Sequence, residues 1–372
     1  MNLPSSRISW LDNIRIFACI LVIASHIVGQ FFVSPPFTPD NETFAWSSFY
    51  TVLVRVSIPL FFMISGALLL PVRDTTGQFL KKRFTRVLFP FLLWSAFYTV
   101  FPWSYETLTG DSFHSVFPLS RVTPDLETMG TNLLIPLKFS VGIHLWYLYV
   151  LMGLYLFLPV ISPWVEKAGK AAFAYFLLLW TLTLLFPYFQ TIFPSYLGKC
   201  PWNEYGALHS FSGYLGYMVL GCFLRKYSGN ASFARTACWA VPCLAAAFWF
   251  TLHFYRTSTA QARSSSGDYI GFASINVALM SVAVFVLFQS LPAFRAGSAP
   301  QRLLADFSSM SFGIYLVHFV LVGAVYRLFG MLHLLFLPAS LSIPLLTAAT
   351  CLAAWGIIKL LSFLPGSRYL IG

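Results

Sequence analysis

The sequence predicts an all-α polytopic membrane protein, and two observations carry that prediction. Of the 372 residues, 58% are hydrophobic and only 9% are charged, whereas a soluble domain carries about 25% charged residues. The apolar residues come in blocks of about 20, the length that a helix needs to cross the hydrocarbon core of a bilayer. Lipid is therefore the expected solvent for most of the chain.

Ten apolar blocks predict about ten membrane-spanning helices within a single transmembrane domain, residues 1–372, with no soluble accessory domain. The third block is short and contains Pro90 and Pro102, so its boundaries are the softest. The predicted spans cover residues 10–32, 46–71, 86–103, 143–161, 171–190, 210–225, 236–255, 270–292, 311–329 and 339–363.

Lysine and arginine are shared unevenly between alternate connections, and this asymmetry predicts the orientation. The set of connections that includes both termini carries 14 of the 23 Lys and Arg residues, the other set carries 5, and the remaining 4 lie within spans. Because cytoplasmic loops are enriched in Lys and Arg, both termini are expected in the cytoplasm.

Topology thus accounts for the net charge of +11, and no nucleic-acid partner is expected because no basic stretch is interleaved with aromatics. The cysteines form no CxxC pair and no Cys/His cluster with zinc spacing, so no metal is expected either.

The first span contains two ionisable side chains, Arg15 and His26, which are functional candidates because charge is costly inside a membrane. Eleven helical steps place them on one face, roughly 16 Å apart along the axis. Asp12 precedes Arg15 by three residues and is expected to pair with it. Asp12 lies about 21 Å from His26 along a straight helix, too far for contact. A snorkelling arginine and a histidine that hydrogen-bonds a neighbouring helix are the alternative interpretations.

Three further segments stand out. Ser65 and Gly66 end the second span, where small residues permit close backbone approach, either to a ligand or to another helix. Arg83 and Arg86 are three residues apart, so that their guanidinium groups project together on a helix and suit a phosphate-bearing ligand. The enrichment of cytoplasmic loops in positive charge explains the same two residues without a ligand. A third segment, 144–148, opens the fourth span with His, Leu, Trp, Tyr and Leu.

These segments, in this order, resemble the integral membrane acyltransferase family 3. The motifs of that family fit Arg15 and His26, Phe61, Phe62, Ser65 and Gly66, Arg83 and Arg86, Leu145 to Leu148, and Tyr315 and His318. One departure is Ile16, which follows Arg15 where many members have glycine. The resemblance implies a membrane O-acyltransferase, usually an O-acetyltransferase, that moves an acyl group from acyl-CoA to a hydroxyl group. It implies as acceptor a cell-envelope glycan or a lipid-linked sugar, and as location the bacterial inner membrane.

The resemblance and the chemistry of the side chains together predict the roles of the site residues. His26 is expected to act as the general base, since the pKa of imidazole lies near neutrality, while Arg15 orients the donor or stabilises negative charge and Asp12 holds Arg15. The predicted catalytic residues are His26, Arg15 and Asp12, the predicted acyl-CoA ligands are Arg83, Arg86 and Ser65, and the predicted acceptor ligands are His144, Trp146, Tyr315 and His318.

Two alternatives from other functional classes remain open at this point. An exporter of a lipid-linked sugar or polysaccharide fits the membrane composition, although no charged path through both leaflets is visible in the sequence. A non-catalytic scaffold for envelope synthesis fits the membrane composition too, but it does not explain why Arg15 and His26 lie on one face of the first span. CoA-dependent labelling of a glycan by the purified protein distinguishes the acyltransferase from the exporter.

Overall fold

The computed structural model describes residues 9–33, 42–113, 127, 143–193, 205–229, 231–260, 270–292, 294 and 297–372. The described residues form helices and no β-strand, which confirms the predicted all-α class for this part of the chain. The helices, α1 to α12 in chain order, are Ser9–Val33, Glu42–Leu53, Ser57–Leu69, Thr76–Thr109, Trp146–Lys167, Lys170–Ile192, Leu215–Tyr227, Phe233–Ala260, Ile275–Ser290, Ala299–Met331, Ala339–Leu361 and Arg368–Ile371.

Eight helical segments among the described residues are long and apolar enough to cross a membrane, with α2 and α3 counted as one segment. The predicted spans 210–225 and 270–292 correspond to α7 and α9, which have only 13 and 16 residues. At 1.5 Å per residue these two helices are about 20 and 24 Å long, shorter than the ~30 Å hydrocarbon core. The protein is therefore an integral, multi-pass helical bundle, and its described part contains eight long segments together with the shorter helices α7, α9 and α12.

Helix α4 is longer than the third predicted span, which covered only 86–103. It runs for 34 residues from Thr76 to Thr109 and includes both Pro90 and Pro102. The Thr75 side chain accepts a hydrogen bond from the Gln78 backbone at its start, and Gly110, with a φ of 71°, ends it. Helical backbone remains favourable around proline in a membrane protein because the freed carbonyl groups find other partners. The first turns of α4, most of which precede the predicted span, carry the basic segment 81–86.

The chain divides into two compact units. The first consists of the described parts of Met1–Leu21, Thr51–Arg73 and Phe157–Ser308. In it, α3 and α7 pack so closely that Gly66 lies against the Met218 backbone and Gly221 lies against the Met63 backbone. The first half of α1 packs on α9 through Trp10 and Phe285, whose ring centroids are 5.3 Å apart. Small residues thus give this unit its tight backbone contacts, as is common between membrane helices.

The second unit consists of the described parts of Val22–Tyr50, Asp74–Leu156 and Ser309–Gly372. Three aromatic side chains in it donate hydrogen bonds to backbone carbonyls far away in the sequence. Tyr50 donates to Ser340 at 3.0 Å, Trp94 to Leu370 at 2.9 Å and Tyr98 to Leu316 at 2.7 Å. Because an unsatisfied polar group is costly in an apolar interior, the Tyr50 bond fixes α2 against α11, and the other two fix α4 against α10 and α12.

Candidate active site

Three histidines from three separate segments meet in the second unit. His26 lies on α1, His318 lies on α10, and His144 lies in a short 3₁₀ turn, Ile143–Leu145, directly before α5. The ring centroid of His318 is 5.2 Å from that of His26 and 5.1 Å from that of His144, and the His26 and His144 centroids are 6.2 Å apart. The structure therefore brings the predicted base together with two residues predicted to bind the acceptor.

The hydrogen bonds of His318 define which of its nitrogens carries the proton. Its Nδ1 lies 2.7 Å from the Tyr315 carbonyl oxygen. A carbonyl oxygen only accepts, so Nδ1 carries the hydrogen, and in the neutral ring Nε2 keeps its lone pair. Nε2 is buried and has no hydrogen-bond partner among the described residues. His318 thus presents an unsatisfied acceptor in an interior where such groups are costly.

His144 is also buried, and neither of its ring nitrogens makes a hydrogen bond of ordinary geometry with the part of the chain that the structure describes. Its ring stacks on Phe319, with centroids 5.0 Å apart and planes inclined by 7°, and meets the edge of Tyr98 at 4.9 Å. Aromatic neighbours fix the orientation of the ring without using its polar atoms. The Leu316 backbone lies near the ring, and the rest of its hydrogen-bonding capacity is open to a ligand.

Tyr315 and Trp146, two further predicted acceptor ligands, have different surroundings. The Tyr315 hydroxyl is buried and donates a hydrogen bond to the His144 carbonyl oxygen, so the chain itself uses its proton. Trp146, the first residue of α5, is half-buried, and its ring centroid lies 6.5 Å from that of Tyr147. Tyr147 in turn contacts Tyr315 at 5.9 Å. Tyr315 holds the His144 turn in place, whereas the role of Trp146 stays a prediction.

Arg15 belongs to a three-residue polar network in the first unit. Its Nη1 lies 3.4 Å from Asp12 Oδ1 and 3.1 Å from Ser308 Oγ, and the Ser308 hydroxyl donates to Asp12 Oδ1 at 2.6 Å. Asp12 and Ser308 are buried, and the Arg15 side chain is 27% exposed. The carboxylate and the hydroxyl fix the orientation of the guanidinium. The expected Asp12–Arg15 pairing is present in the structure.

Arg83 and Arg86 lie in the first part of α4, where three residues of separation place them on one face. Arg86 is exposed, and Arg83 is half-buried, with its guanidinium carbon 5.8 Å from the centre of the Phe79 ring. The Nε of Arg83 is buried and has no hydrogen-bond partner among the described residues. Lys82, directly before Arg83, is instead paired with Asp74 at 2.9 Å. The two arginines therefore retain donors that a phosphate group can use.

Ser65 and Gly66, at the end of α3, belong to the first unit. The Ser65 hydroxyl donates to the Phe61 carbonyl oxygen at 2.8 Å, which leaves its oxygen able to accept. A Cβ added to Gly66 would come within 3.0 Å of three backbone atoms of Met218. Close packing of α3 on α7 therefore accounts for the glycine, while the predicted acyl-CoA contact of Ser65 stays a prediction.

Ser308 and Tyr98 contribute to these clusters although the sequence did not single them out. Ser308 starts the run Ser308, Ser309, Met310 and Ser311, which directly precedes the apolar part of α10 and is a signal that the sequence offers. Tyr98 is one of 18 tyrosines and has no local signal. Among the described residues, no group of three or more His, Cys, Asp or Glu side chains is arranged to hold a metal ion, the three histidines included.

Comparison with known protein families gives a match to a family model. The model for the acyltransferase-3 family, described as an acyltransferase domain, matches residues 8–359. No curated protein and no solved structure matches the chain. The match covers both polar clusters, from Asp12 through His318.

Proposed function

The chain belongs to membrane acyltransferase family 3, and we propose that it transfers an acetyl group from acetyl-CoA to a hydroxyl group of a cell-envelope glycan or lipid-linked sugar, in the bacterial inner membrane. The family match establishes a membrane acyltransferase; the donor, the acceptor and the membrane are our proposal. The observation that supports it most is the buried histidine cluster of the second unit. A cluster of imidazoles in which the buried Nε2 of His318 keeps an unused lone pair suits a reaction that begins with removal of a hydroxyl proton.

His26 is proposed as the general base. It is half-buried, whereas His144 and His318 are fully enclosed, so it is the member of the cluster that a hydroxyl group reaches first. A neutral His26 ring takes the hydroxyl proton while the acceptor oxygen attacks the thioester carbonyl carbon. The tetrahedral intermediate then breaks the carbon–sulfur bond, and the imidazolium returns the proton to the departing CoA thiolate. The products are the acetyl ester and CoA, with the base regenerated.

His318 and His144 are proposed to hold the acceptor and to keep the cluster neutral. Nε2 of His318 accepts a hydrogen bond from an acceptor hydroxyl, because its Nδ1 hydrogen already goes to the Tyr315 carbonyl. A second cation 5.2 Å from a protonated His26 is unfavourable in a medium of low dielectric constant, so the cluster carries one added proton at a time. A single shuttled proton is what the proposed reaction requires.

Arg83 and Arg86 are proposed to bind the phosphates of CoA, and Ser65 to accept a hydrogen bond from the donor. The buried, unpartnered Nε of Arg83 supports this role, because an anion would satisfy it. Arg15, held by Asp12 and Ser308, is proposed to orient the acyl-CoA donor, since it lies roughly 16 Å along α1 from His26 and does not reach the carbonyl that the acceptor attacks. Trp146 is proposed as an apolar face for the sugar ring.

The direct test of the function is transfer by the purified protein. We expect isotopically labelled acetyl-CoA to label a glycan fraction from the envelope, and surface glycans of cells with the gene to be heavier by whole acetyl units. CoA release without glycan labelling would leave an acyltransferase with a different acceptor. Glycan movement across vesicles without CoA release would instead establish the exporter and contradict the proposal.

The donor site is tested by calorimetry with CoA. We expect the Arg83→Gln and Arg86→Gln double variant to bind at least tenfold more weakly, since each lost charge-assisted hydrogen bond is worth about 1.5–3 kcal/mol. Lys81→Gln removes an exposed cation from the same turn of α4 and serves as the matched control. Equal affinity of the double variant and the parent would remove both arginines from the donor site.

A further inference from the structure

A cavity of about 620 Å³ opens in the first unit, at the ends of α3, α5 and α7. Its volume lies within the ~300–1,000 Å³ of small-molecule sites. One part of its wall is apolar and contains Leu68, Leu70 and Val165. The proposed chemistry uses none of these residues, and the family motifs include none of them.

Four charged residues line the same cavity, and three of them are cations: Arg73, Arg225 and Lys226, against the single anion Glu166. Arg73 and Glu166 face each other at 3.8 Å, but both side chains are more than half exposed, so this pair contributes little. Neither Arg225 nor Lys226 has a carboxylate within 4.0 Å among the described residues. The lining therefore carries an excess of positive charge that the described chain does not neutralise.

Backbone carbonyl groups hold the two unneutralised cations in place. Arg225 donates to the Ala67 carbonyl, one of the last carbonyls of α3, and Lys226 donates to the Ala168 carbonyl at 3.3 Å. The Lys226 ammonium also lies 5.5 Å from the centre of the Phe173 ring. Each group uses only part of its donor set, since a guanidinium has five N–H groups and an ammonium has three. Cytoplasmic enrichment in positive charge explains the number of these residues but not their anchoring around one cavity.

We propose that this cavity binds a phosphate group carried on an apolar chain. The anchored Arg225 and Lys226 would hold the phosphate, and the wall around Leu68 and Val165 would contact the chain. Two molecules at the membrane share this chemistry: an anionic phospholipid, whose headgroup suits basic pockets between membrane helices, and acyl-CoA. The proposal concerns a site separate from the histidine cluster and does not depend on the identity of the acyl acceptor.

Native mass spectrometry of the delipidated full-length protein with phosphatidylglycerol tests the site, and phosphatidylcholine and CoA serve as the other probes. We expect phosphatidylglycerol to bind at least tenfold more tightly than phosphatidylcholine. The Arg225→Gln and Lys226→Gln double variant should lose that preference. The double variant Lys170→Gln and Arg235→Gln, which removes two exposed cations outside the cavity, is the matched control and should keep it.

Comparing CoA with phosphatidylglycerol on the cavity variant, Arg225→Gln with Lys226→Gln, identifies the source of the phosphate. If the cavity variant loses CoA affinity and keeps its phosphatidylglycerol preference, the phosphate belongs to the acyl donor; the reverse result assigns it to a lipid. Unchanged binding of both probes would overturn the proposal. Because Arg225 also caps α3, a second double variant, Arg225→Lys with Lys226→Arg, checks that the loss is not caused by misfolding. This variant conserves both charges and should bind phosphatidylglycerol as the parent does. Failure to bind it would equally overturn the proposal.

Discussion

Replacing Gly66 by alanine tests whether the glycine serves the packing of α3 on α7 or the approach of a ligand. The added Cβ would come within 3.0 Å of the Met218 backbone, where ordinary contacts begin at 3.4 Å, so α7 must move by more than 0.4 Å. Backbone cannot rotate away as a flexible side chain can. Overpacking of this kind costs about 1–3 kcal/mol, and the reciprocal contact of Gly221 with Met63 makes that second glycine equally sensitive.

The assay is thermal unfolding of the purified protein in detergent at a fixed scan rate, followed by tryptophan fluorescence. We expect Gly66→Ala to lower the apparent Tm by several degrees. We expect the Gly66→Ala and Gly221→Ala double variant to lose less than the sum of the single losses, because both strain one interface. Gly153→Ala on α5 is the control, since its Cβ would meet no atom within 4 Å.

The packing interpretation also predicts what stays constant: folded Gly66→Ala protein at low temperature should bind CoA as tightly as the parent. An unchanged Tm would refute the packing argument. A large loss of CoA affinity with an unchanged Tm would show instead that Gly66 admits a ligand.

Two further substitutions test the polar clusters. His318→Asn keeps a donor, its amide, in place of Nδ1 but removes the Nε2 acceptor. The apparent KM for the acceptor glycan should therefore rise at least about tenfold, while the Tm stays within about 2 °C. An unchanged KM would exclude the proposed hydrogen bond. Ser308→Ala removes the hydrogen bonds to Asp12 and Arg15 and should cost about 1–3 kcal/mol of stability. Thr85→Ala, which removes an exposed hydroxyl on α4, should cost nothing measurable, and equal effects of the two in thermal unfolding would contradict the network.

Local geometry explains which features the sequence could predict. The Asp12–Arg15 pair follows from three residues of helical spacing, and the long apolar blocks follow from the thickness of a membrane. The extra length of α4 did not follow, because Pro90 and Pro102 weaken a helix locally while neighbouring groups can satisfy the freed carbonyls. The shortness of α7 and α9 was not predicted either, because hydropathy does not reveal where a helix breaks.

The meeting of the three histidines needed the tertiary fold. The sequence places His144 at the start of the fourth predicted span and His318 in the ninth, and no local spacing relates either residue to His26. Only the packing of α1, α10 and the 144 turn within one unit brings their rings within 6.2 Å of one another. Ser308 joins Asp12 from the far end of the sequence in the same way. Contacts of this kind depend on how helices associate, which a single sequence does not encode in any local pattern.

The central claim is that His26 removes the proton from the acceptor hydroxyl, and the rate of acetyl transfer by purified variants tests it most directly. His26→Ala should lower the rate by about 10²–10⁴-fold, the usual contribution of a general base, without changing CoA affinity or the apparent Tm by more than about 2 °C. His253→Ala, which removes an exposed histidine stacked on Trp249 in α8, should transfer acetyl at the parental rate. Parental activity in folded His26→Ala protein would contradict the claim.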